Sequence, residues 1–295
     1  MRFSKSIAIG CLLATASAVV GGLGTPIAKA LLTDGIVTPS GLTLLRIAGT
    51  AIVFWTLPAG RQKVQPKHLC IMLPIGAIGI AAQLATFNYA LNLSFPIEVS
   101  IISSCSALWL VVLGIISRQI KETRYLTRGS MLTIVGLLIT IFFFGEEKHN
   151  FSHISGNWIA FGSMLMGGLC SAGVAKLTPY YHAATIYKWI YTFATVPIII
   201  YFLLAGQVPT LKIHSAISVI EIIYVCIVTG DAGILLHAKA QQQISNKTID
   251  ICSFAQPFTA IVVAYNIGFN TLTWFDPISI ILIFISYLIA TKGKI

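Results

Sequence analysis

Between its charges this chain carries apolar stretches long enough to cross a bilayer about ten times. Only 9% of its 295 residues are Asp, Glu, Lys or Arg, and its mean hydropathy is +0.87. A soluble domain with so few charges could not cover its own surface. The expected spans are residues 7–32, 41–59, 69–92, 96–117, 129–145, 157–178, 184–205, 217–241, 249–269 and 276–292. The connections are too short to hold a folded domain. The sequence therefore predicts one all-α polytopic membrane protein of ten transmembrane helices.

The formal net charge of +10 raises the question of a nucleic-acid partner, and the position of the charges answers it. Arg2 and Lys5 precede the first span, Arg61, Lys63 and Lys67 fill the second connection, and Arg118, Lys121, Arg124 and Arg128 fill the fourth. Lys292 and Lys294 end the chain. With ten spans all of these share one face. The other face holds Lys148 and Lys212 beside Asp34, Glu146 and Glu147. This is the positive-inside asymmetry, and it predicts a multi-pass inner-membrane protein with both termini cytoplasmic. The basic residues mark topology and contact with membrane lipids, and no nucleic acid is expected.

The N-terminus imitates a signal peptide, with Arg2 and Lys5 before an apolar run and Ala14-Thr15-Ala16-Ser17-Ala18. The apolar pattern continues past Ala18, so an uncleaved first helix is expected. Cys11, Cys70, Cys105, Cys170, Cys226 and Cys252 form no CxxC pair. They read as small packing residues, with neither a metal site nor a disulfide framework.

The two halves of the chain resemble each other. Gly21-Gly22-Leu23-Gly24 through Lys29 is similar to Gly167-Gly168-Leu169-Cys170 through Lys176, with one residue inserted. Thr43-Leu44-Leu45-Arg46 is similar to Thr185-Ile186-Tyr187-Lys188, and Ile97-Glu98-Val99-Ser100 to Ile249-Asp250-Ile251-Cys252. Each half holds five spans, an odd number, so the second half enters the membrane from the opposite side. The expected repeats cover 1–147 and 157–292, and are inverted. Inverted repeats supply two related conformations, with a substrate site between the halves near the midplane. Glycines in the first and sixth spans would let helix backbones approach closely.

These features together resemble the drug/metabolite transporter superfamily, in its ten-helix EamA-like branch. The resemblance rests on the two five-helix halves, the Gly-rich first helix running to Pro26 and Lys29, and Leu45-Arg46 in the second. It rests also on Phe87-Asn88-Tyr89-Ala90-Leu91 in the third helix and Gln256-Pro257 in the ninth. It implies a bacterial inner-membrane carrier, most often an exporter of amino acids, related metabolites or toxic compounds. Glu98 is similar to the aromatic amino-acid exporter subgroup. The sequence departs from the family where Ser106-Ala107-Leu108-Trp109 replaces a frequent mid-helix proline. It departs again where Gly114-Ile115 and Gly268-Phe269 replace a frequent Gly-Glu pair. No role of those missing acids carries over.

Ionisable groups at span depth are costly and are the first functional candidates. Asp231 lies inside the eighth span and must be paired, hydrated or protonated there. His237 projects about 120° away on the same helix, so the two border a common cavity at most. Proton coupling is expected of Asp231 and His237, with interhelical hydrogen bonding and packing as the structural alternatives. Arg46 and Lys29 suit an anionic substrate group, or else snorkel to the headgroups, as expected for Lys176 and Lys188. Glu98 either contacts substrate or caps its helix, and Asp250 is similar at the other face. Asn88, Trp109 and Gln256 are expected to line the cavity. His149 and His153 are expected in a solvated external connection.

No catalytic, nucleotide-binding or cofactor motif stands in a credible context, so neither an enzyme nor a cofactor is expected. The reading is a secondary transporter of a small-molecule substrate, a monomer or homodimer, working by alternating access as an exporter of amino acids or metabolites. The alternatives are an importer or exchanger of a nucleotide-like or S-adenosylmethionine-like metabolite, and a membrane subunit without transport activity.

Overall fold

The computed structural model describes residues 2–105, 124–142, 151–206, 209–244, 246–269 and 275–292, and over these the chain is helical. Helix α1 runs Arg2–Thr33 and α2 Pro39–Thr56. Helix α3 covers Pro66–Leu93 and contains a π-helical stretch, Ile75–Ile80. Helix α4 begins Pro96–Ser104 and α5 covers Arg124–Phe142. Helix α6 covers Phe151–Ala175 and α7 Ala183–Ala205. Helix α8 covers Ala216–Gln241, with a second π-helical stretch at Tyr224–Ala232. Helix α9 is broken at Phe254 into Asn246–Ser253 and Ala255–Ile267, and α10 covers Phe275–Lys292.

Four of these helices are long and apolar enough to cross a membrane: Ser6–Thr33, Pro66–Leu93, Ala183–Ala205 and Ala216–Gln241. The outer surface matches that solvent. Leu12, Ile52, Ile78, Leu203, Leu204, Ile217 and Ile220 all point outward, Leu204 at 83% exposure. Water would penalise so much contiguous apolar surface, whereas lipid does not. The molecule has the build of a helical membrane protein.

Local chemistry sets the helix ends. The Thr38 hydroxyl accepts from Gly41 N at 3.2 Å and Pro39 follows it, a polar cap with a pre-set first residue. Pro66 and Pro96 open α3 and α4 in the same way. Ser215 caps α8 by accepting from Ser218 N at 3.2 Å. Gly206 ends α7 at φ +60°, a conformation that L side chains resist.

The helices pack in recurring pairs. Helix α2 lies on α7, α4 on α9, and α5 on α10. Helix α3 lies on α6, and α1 on α8. One core cluster joins α1, α4, α5, α6, α9 and α10; another joins α2, α3, α6 and α7. Connections gather at two ends. At one end, His182 N donates to Gln62 Oε1 (2.7 Å), tying residues 57–65 to 176–182. Ala14 of α1 packs there with Ala240, Ile244 and Ile249. At the other end, Lys212 N donates to Ile36 O (2.8 Å) beside a bridge between Val37 and Leu211.

Candidate functional site

Two adjoining cavities enter the bundle from the end where α1 begins. The wider, of about 680 Å³, is bordered by Ala14, Ser17, Thr178, Tyr181, His237, Gln241 and Ile249, all near that end. The deeper, of about 340 Å³, is walled by Gly21, Arg46, Gln83, Phe87, Tyr187, Tyr191, Thr229 and Gln256. Ser103, Ser171, Val174, Tyr187 and Gln256 border both. The walls come from α1, α2, α3, α4, α6, α7, α8 and α9, and both volumes suit a small organic molecule.

Arg46 is the fixed charge of the deeper cavity. Its Nη1 donates to Asn88 Oδ1 at 3.1 Å, and its guanidinium lies over the Phe87 ring at 5.6 Å. Asn88 in turn donates from Nδ2 to Thr43 Oγ1 at 2.9 Å, and Thr43 donates to Pro39 O at 2.7 Å. This chain of neutral partners holds the guanidinium without neutralising it. Arg46 makes no ion pair among the described residues. Gln256 is held against helix α1, where its side chain packs over Gly21.

The opposite end is closed around Glu98, which is 1% exposed. Its Oε2 accepts from Ser94 Oγ (2.9 Å) and Asn157 Nδ2 (2.6 Å), and His153 Nε2 lies 3.1 Å away at ion-pair distance, though not aligned for a hydrogen bond. The single Ser94 hydroxyl proton is shared between Glu98 Oε2 and Asn157 Oδ1, and the Phe95 ring packs against His153. Lys29 Nζ donates to Asn92 O (3.0 Å) nearby, joining α1 to the end of α3. Ser94, Glu98, His153 and Asn157 thus form one buried polar knot, with the exposed Lys29–Asn92 contact beside it.

Asp231 is equally buried and has a different setting. It sits in the π-helical stretch of α8, and neither carboxylate oxygen has a hydrogen-bond partner among the described residues. It borders neither cavity, although Thr229 and Ile234 beside it do. Its electrostatic neighbours are Tyr191 and Cys226.

Of the residues singled out in the sequence, Arg46, Gln256 and His237 border the cavities; His237 Nε2 lies 3.2 Å from Gln241 Nε2. Asn88 does not line either cavity: it is fully buried behind Arg46 and orients it. Glu98 and Lys29 belong to the closed end. Trp109 and His149 lie outside the described residues. Two expectations are corrected. His153 is not in a solvated connection: α6 begins earlier than expected, and burial against Phe95 and Glu98 takes the imidazole out of water. Lys188 does not snorkel: it is buried, donates to Gly60 O, and lies over the rings of Trp55 (4.4 Å) and Trp189 (5.4 Å). Lys176 is exposed. Sequence reasoning missed Ser94, His153 and Asn157 as a set. Their signal was two polar pairs four residues apart, His153/Asn157 on one helix face and Ser94/Glu98 across the turn that opens α4.

Among the described residues, no group of three His, Cys, Asp or Glu side chains is arranged to hold a metal ion. No known family model and no curated protein matches the sequence. The fold does match solved structures. One, a protein of known crystal structure, matches over 96% of this chain and 96% of its own, with a TM-score of 0.65 and 15% identity. At that identity the likeness is one of fold alone.

Proposed function

We propose that this chain is a secondary transporter of the drug/metabolite transporter kind, built from two inverted five-helix repeats and moving a small metabolite by alternating access. The observation that carries the reading is the one-sided chamber. It lies between helices of both halves and enters from one end, and a knot of polar contacts joins the halves near the other.

The packing supports the repeat residue by residue. Exchanging the halves turns the α3–α6 pair into the α8–α1 pair, and leaves α2–α7, α4–α9 and α5–α10 as themselves. The π-helical stretches of α3 and α8 fall at matching distances from their helix starts. Gly24 of α1 faces Thr229 of α8, while Cys170 of α6 faces Gly79 of α3. Gly24 matches Cys170 in the aligned halves, so the small partner changes sides between equivalent contacts. Each half therefore keeps the same close approach with a different residue as the small one.

Basic residues cluster at the end from which the chamber enters, so that end faces the cytoplasm of an inner membrane. The described conformation is then inward-open. Rocking one half against the other would break the Glu98 knot and the Ile36–Lys212 contact, opening the chamber outward. Asp231 couples the cycle to protons: an ionised carboxylate without partners is costly at such depth, and the π-helical stretch that holds it is a segment able to re-form. His237 lies on the same helix at the chamber's entrance and relays the proton.

Counterflow in proteoliposomes tests the reading. Purified protein with internal unlabelled substrate pools should accelerate entry of the matching labelled compound with no ion gradient. Folded protein that accelerates none of the amino-acid, organic-acid, amine or nucleotide pools would overturn it.

A further inference from the structure

We infer that the deeper cavity selects an organic anion, a carboxylate or similar oxyanion on a small flat or apolar body, over a zwitterion or a cation. The inference rests on the transport reading and narrows its substrate class.

Three observations converge on it. First, the guanidinium of Arg46 reaches the cavity wall, and among the described residues only its Nη1 is engaged by a protein acceptor. Its other donors form a fork matched to the two oxygens of a carboxylate. Second, that charge has no counter-ion. Asn88 and Thr43, which position it, are neutral, and no described carboxylate stands within ion-pair distance of it. A cation held at span depth by neutral partners is expensive, and an incoming anion relieves the cost. Third, neither cavity is bordered by an Asp or Glu among the described residues. The stretch 106–117, which continues the fourth span, contains none either.

A zwitterionic amino acid would satisfy Arg46 with its carboxylate and leave its ammonium facing hydroxyls and amides. That desolvation is uncompensated. A 2-oxo acid of the same side chain has no such group. Phe87 fixes the plane of the guanidinium from one face, and Tyr187 and Tyr191 supply ring surface for the body of the ligand. Asp231 neighbours Tyr191 of the cavity wall, and its burial away from the cavity surface keeps it from serving as the ammonium partner.

The test is counterflow with three pools of matched side chains: amino acids, the 2-oxo acids that correspond to them, and the amines left by their decarboxylation. The 2-oxo acid pool should exchange about tenfold faster than the others, the scale of one charge-assisted contact. Arg46→Gln should lose about that factor for the anions alone. Arg46→Lys should keep the preference for anions at a reduced rate, which separates lost charge from lost folding. Amino acids or amines exchanging as fast as the 2-oxo acids would overturn the anion inference and leave transport standing. Exchange of none of the three by folded protein would overturn the anion inference, and the transport reading falls with it only if the remaining organic-acid and nucleotide pools fail as well.

Discussion

Glu98 and Asp231 are both buried carboxylates at span depth, and they are handled in opposite ways. Glu98 has two hydrogen-bond donors and an imidazole around one oxygen, contributed by the α3–α4 turn and by α6. Asp231 has no hydrogen-bond partner on either oxygen among the described residues. Oε1 of Glu98 has no hydrogen-bond partner among the described residues, but a carboxylate whose other oxygen gathers two donors is part of the packing, because removing it orphans them. A carboxylate without donors gives the fold little. Its setting differs too: Glu98 sits in a regular first turn, Asp231 in a π-helical stretch of the kind that gathers at functional sites.

The comparison makes graded predictions for stability, read as thermal or denaturant unfolding in detergent. Glu98→Ala should cost the most, about 3 kcal/mol, since Ser94 and Asn157 lose their acceptor and His153 its ion-pair contact. Glu98→Gln keeps the volume and one acceptor oxygen, and should cost roughly half as much. His153→Ala should follow at about 1–2 kcal/mol, mostly lost packing on Phe95 and the ion-pair contact. Asp231→Asn should change stability by less than about 0.5 kcal/mol, because no partner is lost. The order is informative in reverse for transport: Asp231→Asn should abolish the pH dependence of the rate, whereas Glu98→Gln should alter the rate and keep that dependence. Equal losses of stability at both positions would erase the distinction, and a pH profile unchanged in Asp231→Asn would remove the coupling role.

Much of this was legible in the sequence. The described helices begin at Pro39, Pro66 and Pro96 and end near Gly206 and Gly268, where capping and backbone freedom leave plain marks. Arg46, Gln256 and His237 were found because polar groups are conspicuous among apolar ones. What stayed hidden depends on distant partners. Nothing local distinguishes Asn88 as the residue behind Arg46 from Asn88 as a cavity wall, since that choice is set by Thr43 across the α2–α3 contact. Lys188 looked like a headgroup anchor because the rings of Trp55 and Trp189 that cradle it come together only when α2 packs on α7. The π-helical stretches are hidden for another reason: one extra residue in a turn changes the geometry without changing the composition.

Under alternating access a single chamber is reached from both sides of the membrane in turn. Ser171 borders both cavities and belongs to no proposed contact with substrate or proton. The direct test is Ser171→Cys in a chain whose six native cysteines are replaced, probed with a membrane-impermeant thiol reagent in right-side-out and in inside-out vesicles. Alternating access predicts labelling from both sides, faster from the cytoplasmic side, with a transported compound shifting the ratio. Labelling from one side only, under every condition of pH and substrate, would contradict it.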